Sequence, residues 1–416
     1  MRILVLGGAG AMASGTVRDL ISPLQDQITQ VVVADRLLGP AQALVQTLGD
    51  PRLSAVEVDV ADSLALAALL ADCDLCINAV PTFAGQQMVI FDACRQAGKP
   101  YVDYGGMGVL TVEQKKHHAA WARAGVTAVL GLGADPGISN MVCRAVADRL
   151  DEIDRINLFW VAKNFGAPSP VLVPPYSLAT LLAEYANPSQ QFLDGRLQQV
   201  GPRSGHETLI LPEPWGRTEF MYTQHSEPLT VPFSEGIHDK GIREFTWKLH
   251  LPEHEHKAWL ALCSAGFDDY DEPIDVKGQT VKPLDLLDAL IRRNIERRGD
   301  QIPASEIHEL HLAVGEGKIA GQTSRINCAV IGKPNPAYDG YNDPATSIGL
   351  AIGVQLMLRG GIRPGVWAPE ECFETAPFFA ELRRRHFAVL DDLPLGGAHA
   401  PRIGQGTGQI VQEIPA

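Results

Sequence analysis

Paired cysteines, excess basic charge and long apolar runs are all missing from this 416-residue chain. Its seven cysteines (Cys73, Cys76, Cys94, Cys143, Cys263, Cys328 and Cys372) are odd in number and scattered, which excludes a disulfide framework and fits reduced thiols. Cys73-Asp74-Leu75-Cys76 has CxxC spacing, but its second cysteine falls in a predicted buried strand and no second pair lies nearby, so neither a metal nor a redox role is expected. Thirty-five Lys and Arg against forty-nine Asp and Glu give a net charge of −14. That balance disfavours nonspecific binding to nucleic acid or an anionic membrane and leaves small molecules as the expected partners. The longest apolar helical stretch, residues 348–358, is far short of the roughly 20 residues needed to span a bilayer. The chain enters its first strand without the charged, apolar and small-residue segments of a secretory signal, so a cytoplasmic protein is expected.

What is present is an ordinary globular composition, 45% hydrophobic and 20% charged, in a chain longer than the roughly 250 residues at which single cores stop growing. Two domains flanking a cleft are expected, and no repeat or low-complexity tract interrupts them. The first fifteen residues organise the rest. Ile3-Leu4-Val5-Leu6 reads as a strand buried on both faces. Gly7-Gly8-Ala9-Gly10-Ala11-Met12-Ala13 follows as a Gly-x-Gly-x-x-Ala turn: its glycines let backbone N–H groups approach a phosphate, and Ala13 allows tight packing of helix on strand. Val17-Arg18-Asp19-Leu20 continues as helix, whose N-terminal dipole favours a pyrophosphate. Val31-Val32-Val33-Ala34-Asp35 is the next buried strand, and Asp35 at its end can accept hydrogen bonds from an adenosine ribose. Strand, turn, helix and carboxylate together are far more specific than the glycines alone.

A dinucleotide cofactor, NAD or NADP, is therefore expected. Gly8, Gly10, Ala11 and Met12 would hold its pyrophosphate and Asp35 its ribose, which favours NAD; Arg36 beside it suits a 2′-phosphate or an adenine face instead. Asp59, after the third strand Ala55-Val56-Glu57-Val58, is placed either to border the adenine pocket or to cap the helix that follows. The fourth strand, Leu75-Cys76-Ile77-Asn78-Ala79-Val80-Pro81, brings Asn78, Ala79, Val80 and Pro81 beneath the expected nicotinamide. Helices over residues 86–97 and 111–124 and strands at 101–103 and 127–130 continue the alternation of a parallel doubly wound α/β sheet, a Rossmann domain over residues 1–136.

The pattern changes beyond residue 137. Strands at 156–161, 246–251 and 307–314, a helix over 176–185 and a hairpin at Gly315-Glu316-Gly317-Lys318 predict an α+β domain on a mixed sheet over residues 137–341. Asn342-Asp343-Pro344 opens a third part, residues 342–416. It begins with a continuously apolar helix to Arg359 that should pack back on the first domain, and beyond residue 392 it becomes a Gly- and Pro-rich tail, loosely ordered or an interface arm.

These segments resemble the saccharopine dehydrogenase-like oxidoreductases, a group that includes lysine 6-dehydrogenases and carboxyspermidine dehydrogenases. The resemblance rests on residues 7–13, Tyr101-Val102-Asp103-Tyr104-Gly105-Gly106, Gly133-Ala134-Asp135-Pro136-Gly137-Ile138-Ser139-Asn140, Glu184-Tyr185-Ala186-Asn187-Pro188 with Asp194-Gly195, and His225-Ser226-Glu227-Pro228-Leu229-Thr230-Val231-Pro232. Ala13 and Ala134 depart from the commonest pattern. The resemblance implies NAD(P)-linked oxidation of a carbon–nitrogen bond of lysine or a lysine-derived amino acid, without a metal, in a homo-oligomer (dimer or tetramer). A carboxyspermidine-type polyamine substrate, which would favour a more acidic cleft, and a noncatalytic NAD(P)-binding protein are the alternatives.

Such chemistry needs a general base and a cation for a carboxylate. His225 and Glu227 offer an imidazole and a carboxylate two residues apart, for acid/base work or to hold a Pro-rich loop. Asp103 and Tyr104 stand at the carboxyl end of a parallel strand, where ligands of such sheets bind, or else cap and fix the loop that follows. Asp135, before Pro136, reads as a helix cap or turn former, Lys163 as solvated or, if burial lowers its pKa, a base, and Arg217 and Arg243 as surface arginines able to clamp a carboxylate. His254-Glu255-His256 and His308-Glu309-Leu310-His311 lack a third metal ligand, and the second pair would point to opposite strand faces.

Overall fold

Runs of Val, Ile and Leu without polar alternation need cover on both faces, which a parallel sheet between helices provides. The computed structural model describes residues 1–416 except 106–107, 251–252, 270–271, 305, 342 and 397–416. Strands β1 (Arg2–Leu6), β2 (Gln30–Asp35), β3 (Leu53–Glu57), β4 (Leu75–Asn78), β5 (Tyr101–Asp103) and β6 (Thr127–Val129) lie in the order β6-β5-β4-β1-β2-β3, all parallel. Between them run α1 (Ala11–Leu20), α2 (Leu38–Leu48), α3 (Ser63–Ala71), α4 (Gln87–Gln96), α5 (Val109–Lys115) and α6 (His118–Ala124). The single helix expected over 111–124 is two. The break after Lys115 lets that lysine pair with Glu371 at 2.5 Å, while Trp121 turns into the core against Phe91, ring centroids 4.7 Å apart.

Helix α7 (Ile138–Arg149) leads from the first sheet to the second, its buried Met141, Val142 and Val146 belonging to a core shared by both. The second sheet begins with β7 (Glu152–Asn164), followed by α8 (Leu178–Ala186), the hairpin β8 (Ser189–Leu193) and β9 (Arg196–Val200), then β10 (Glu207–Ile210), β11 (Arg217–Tyr222) and β12 (Glu244–His250). Helix α9 (Glu253–Ser264), the small hairpin β13 (Ile274–Val276) and β14 (Gln279–Val281), and α10 (Pro283–Arg298) precede β15 (Ile307–Ile319) and β16 (Gln322–Gly332). β12 pairs parallel with β7 and the remaining neighbours pair antiparallel, which makes the sheet mixed.

The β15–β16 turn is not at Gly315-Glu316-Gly317-Lys318 but at Ala320-Gly321, where both residues have positive φ (49° and 77°), as a two-residue turn requires. Gly315 and Gly317 lie inside β15 for a different reason: a Cβ at Gly317 would overlap the Glu152 carbonyl, and one at Gly315 the Val146 side chain.

The last segment serves both sheets. Helix α11 (Pro344–Arg359), N-capped by the Asp343 carboxylate on the Thr346 N–H at 3.1 Å, packs on α1, where Thr16 Oγ1 donates to the Ser347 carbonyl at 2.9 Å. Strand β17 (Gly365–Trp367) extends the first sheet beside β6; α12 (Pro369–Cys372) and α13 (Thr375–Arg384) follow, and β18 (Ala388–Leu390) edges the second sheet beside β16. The expected tail lies, over residues 397–416, outside the described residues. Among the described residues no helix is long and apolar enough to cross a membrane.

Candidate functional site

Where the carboxyl ends of β1, β4 and β5 face the second sheet there is a cavity of about 700 Å³. One wall is the glycine turn. Gly7, at φ +71°, has no room for a Cβ, which would meet the Ala79 carbonyl at 2.8 Å, and its N–H is tied to the Ala34 carbonyl at 2.8 Å. Gly10 is the N-cap of α1 and brings no side chain to the helix's first N–H groups, and no acidic residue occupies that first turn. Ala9, Gly10, Ala11, Met12 and Ala13 all face the cavity. An uncapped helix start with backbone amides directed at a cleft fits a dinucleotide pyrophosphate. Asp35 accepts from the Ala9 N–H at 3.3 Å and the Leu37 N–H at 3.1 Å, which places its carboxylate beside that turn.

Ala79, Val80 and Pro81 form the adjoining wall together with Asn78, whose side chain is consumed internally: its Oδ1 accepts from the Val80 N–H at 3.1 Å and its Nδ2 donates to Tyr101 Oη at 2.9 Å. Gly8 lies behind the turn, donating to the Ala34 carbonyl at 3.2 Å. Arg36 and Asp59 are exposed beyond the cavity, and Asp59 accepts from the Ala61 N–H at 2.9 Å in a turn, while Asp62 caps α3.

Asp103 and Tyr104 face the cavity, yet their polar atoms are spoken for. Asp103 Oδ1 accepts from the Gly105 and Gly131 N–H groups at 3.0 and 2.9 Å, and Oδ2 from Tyr101 Oη at 2.8 Å and Gln114 Nε2 at 3.0 Å. The Tyr104 hydroxyl turns away to Thr16 Oγ1 at 2.5 Å, and burial pushes its pKa up. These contacts give the pair a holding role: Asp103 fixes two loops and Tyr104 ties the sheet end to α1.

The titratable centre lies opposite. The loop after β11 presents His225, stacked on Trp247 of β12 with ring centroids 4.0 Å apart, and its Nδ1 is 2.5 Å from Glu227 Oε2. Glu227 is fully buried behind it, and its other oxygen accepts from Ser139 Oγ at 2.6 Å. On the far edge of the ring, Nε2 is 3.8 Å from Glu184 of α8, whose second oxygen accepts from Tyr176 Oη at 2.5 Å. Burial drives the His225 imidazolium down, but the charges of Glu227, Glu184 and Asp135 outweigh it and bring its pKa up to about 9. Burial pushes Glu184 up to about 7 against the opposing pull of His225 and Tyr176.

A second histidine–carboxylate pair adjoins the first. His311 on β15, fully buried, bonds Asp135 at 2.9 Å through Nδ1 and has Glu309 at 3.5 Å from Nε2. Burial would neutralise it, yet Asp135 and Glu309 hold it protonated up to about 10. Asp135 is therefore more than the cap or turn former its Asp-Pro-Gly context suggests. Asp343, at the start of α11, is pushed up to about 7 by burial and by the charge of Glu309.

Other candidates lie elsewhere. Lys163 bonds the Trp215 carbonyl at 2.8 Å and Thr218 Oγ1 at 3.0 Å; it is part-buried rather than solvated and is no base in this cavity. Arg217 and Arg243 are exposed, away from the cavity. The arginine that reaches it is Arg292 of α10, paired with Asp288 at 2.7 Å and passed over by the sequence reading. The His254 side chain lies outside the described residues. No grouping of three or more metal-binding side chains occurs among those described.

Comparison with known proteins agrees with this geometry. The saccharopine dehydrogenase NADP binding domain matches residues 3–129 and the saccharopine dehydrogenase C-terminal domain residues 133–387. A carboxyaminopropylagmatine dehydrogenase from Synechocystis is 23% identical, over 92% of this chain and 95% of its own. A carboxynorspermidine synthase from Vibrio cholerae is 27% identical, over 70% of this chain and 72% of its own. The solved saccharopine dehydrogenase (L-Glu forming) from Saccharomyces cerevisiae shares the fold, with a TM-score of 0.67 at 17% identity, over 94% of this chain and 99% of that one. With both domains matched in order along the chain and a glycine turn built for a dinucleotide, the chain belongs to the saccharopine dehydrogenase family and is an NAD(P)-dependent dehydrogenase.

Proposed function

We propose that the protein oxidises, or in reverse forms, the carbon–nitrogen bond of a secondary amine that carries an amino-acid group at one end and a cationic, polyamine-like arm at the other. Charge carries this reading: besides Asp103, the carboxylates Asp135, Glu184, Asp285, Asp288, Glu309 and Asp343 line the cavity, against Arg292 and His225. A cleft lined by one sign of charge concentrates the opposite sign. The compounds in the names of the two relatives, carboxyaminopropylagmatine and carboxynorspermidine, join a carboxylate to such an arm.

A nicotinamide held along the wall of Ala79, Val80 and Pro81 would supply the hydride acceptor for oxidation, or the donor in reverse. Proton movements fall to the chain. Before hydride leaves, the substrate ammonium must lose its proton, so that the nitrogen lone pair can form the C=N bond. The Glu227 contact fixes the neutral His225 ring with its proton on Nδ1, which leaves Nε2 as the base, and Trp247 fixes the ring plane. Once Nε2 holds the proton, Glu184 and Glu227 stabilise the imidazolium from its two edges. Water then splits the imine into a carbonyl compound and a primary amine; in reverse these condense with loss of water, and His225 returns the proton to nitrogen. Oxidation therefore rises as pH climbs through about 9, and reduction falls over the same range.

Asp35 supports NAD as the preferred cofactor, because a carboxylate beside the turn repels a 2′-phosphate. Seven unpaired cysteines support a cytoplasmic setting, and a homo-oligomer is part of the same reading. The test is absorbance at the reduced-nicotinamide band with NAD or NADP and a panel of carboxyspermidine-type amines, carboxyaminopropylagmatine, saccharopine and lysine. We expect the carboxylated polyamines to exceed lysine in kcat/KM by more than about 100-fold, the size of an unmatched charged contact. Equal or better turnover of lysine or saccharopine would overturn the polyamine assignment.

A further inference from the structure

Helix α7 starts beneath the site without touching the cavity, and its first turn holds two side chains that no step above uses. Ser139 Oγ is 2.6 Å from Glu227 Oε1 and 3.3 Å from Asn140 Oδ1. The shorter contact assigns its single proton to Glu227. Asn140 is held in turn, its Oδ1 accepting from the Gly137 N–H at 2.8 Å and its Nδ2 donating to the buried Glu370 at 2.8 Å, where Ser234 Oγ also donates at 3.0 Å. Ser139 and Asn140 are both fully buried, so their rotamers have no solvent alternative. Glu227 thus sits between a hydroxyl donor and the His225 ring at the positive end of a twelve-residue helix.

We propose that Ser139 is a positioning residue of this active site, which sets the proton affinity of His225 by fixing and stabilising the carboxylate of Glu227. The proposal rests on the reading of His225 as the base. Other titratable groups face the pair from every side: Glu184 of α8, Asp135 before α7 and Cys143 of α7. None of them bonds Glu227 Oε1, so the effect of Ser139 is separable from theirs.

The sign follows from the contact. A hydroxyl donor stabilises the carboxylate; without it the shared proton of the Glu227–His225 pair is held more tightly, whichever partner carries it. The experiment is the pH profile of kcat/KM for amine oxidation in wild type, Ser139→Ala, Glu227→Gln and His225→Gln. In S139A we expect the acid limb to move upward by about one pH unit, tenfold in proton affinity, with kcat reduced about 10-fold and KM changed by less than about twofold. E227Q, which removes the charge itself, should move the limb downward. H225Q should abolish it.

The two readings fail differently. If H225Q keeps the wild-type limb, the assignment of the base is wrong and Ser139 loses its role with it. If H225Q removes the limb and S139A leaves it in place, His225 stands and the proposal for Ser139 is overturned, because a merely structural loss lowers kcat without moving a pKa. Should S139A fail to fold, Ser139→Cys keeps a weaker donor at the same place and should move the limb in the same direction by less; an unmoved limb in S139C would overturn the proposal equally.

Discussion

The buried charges behind α1 and those at the cavity differ in how completely they are matched. Behind α1, Asp19 is fully buried and each of its oxygens has two donors: Gln25 at 3.0 Å and Arg385 Nη2 at 2.8 Å on one, Tyr338 at 2.5 Å and Arg385 Nε at 2.7 Å on the other. Arg385 also bonds Glu381 at 2.9 Å, which Arg359 and Arg384 reach at the same distance. There three arginines meet two carboxylates. Burial would raise the pKa of Glu381, and its three arginine contacts more than cancel that and lower it. At the cavity the balance is reversed, with Asp135, Glu184, Glu227, Glu309 and Asp343 facing two histidines, and Glu184 and Asp343 pushed up to about 7. The first cluster ties α1, α11 and α13 together. The second carries an excess of negative charge that a cationic substrate can neutralise.

Removing the centre of the unmatched cluster should have the largest effect. His225→Gln keeps the ring's volume and polarity approximately but offers no base, so turnover should fall by roughly 100- to 10,000-fold, the range for loss of a general acid–base group. NAD(H) affinity should change little, since the cofactor turn does not touch this ring, while melting temperature should drop only by what the Trp247 stack and the Glu227 contact contribute. A folded variant that keeps wild-type turnover would remove His225 from the role of base.

Breaking the matched cluster should do the converse. Arg385→Ala leaves Asp19 buried without its bidentate partner, and such a loss costs about 3–5 kcal/mol. Urea denaturation would read this as a lower midpoint, while folded protein keeps its kcat. A destabilisation below about 1 kcal/mol would mean that Tyr338 and Gln25 alone satisfy Asp19, and that the contrast between the two clusters is weaker than their geometry implies.

How much of this was legible beforehand depended on distance along the chain. Branched apolar runs located β1, β2 and β4, and the order strand, glycine turn, helix located the turn that walls the cavity, because each signal lies within a few residues. His225 and Glu227, two residues apart, were visible for the same reason. Pairing across the chain was not. Asp135 and His311 are separated by 176 positions, and nothing near either residue signals the other; Asp135 looks like a turn former because Pro136 and Gly137 follow, and His311 looks like one half of an incomplete metal site. Arg292 was missed because on α10 it is one of several charges on an amphipathic helix. Asp103 misled in the opposite sense: the carboxyl end of a parallel strand is where ligands bind, but donors from residues 101, 105, 114 and 131 converge on its carboxylate, and only the folded loops bring them there.

The clusters can also be compared through stability alone. His311 is held protonated up to about 10 in the folded protein, whereas in the unfolded chain it titrates near its ordinary value of 6.5. Its stabilising contribution is then complete below the unfolded value and is lost as pH rises through the folded one, so stability should decline between pH 6.5 and about 10. His225, brought up to about 9, adds to the same slope with the same sign. Burial would lower the pKa of Arg385, but its contacts with Asp19 and Glu381 raise it, so it stays charged across this window and its loss should lower stability evenly there. Melting curves taken across the window should fall with pH in the wild type, keep that slope at a lower overall temperature in Arg385→Ala, and become shallower in Asp135→Asn, where the charge that holds the His311 proton is gone and His225 supplies what slope remains. An Asp135→Asn curve as steep as the wild type would show that Glu309, 3.5 Å away, suffices to keep His311 charged.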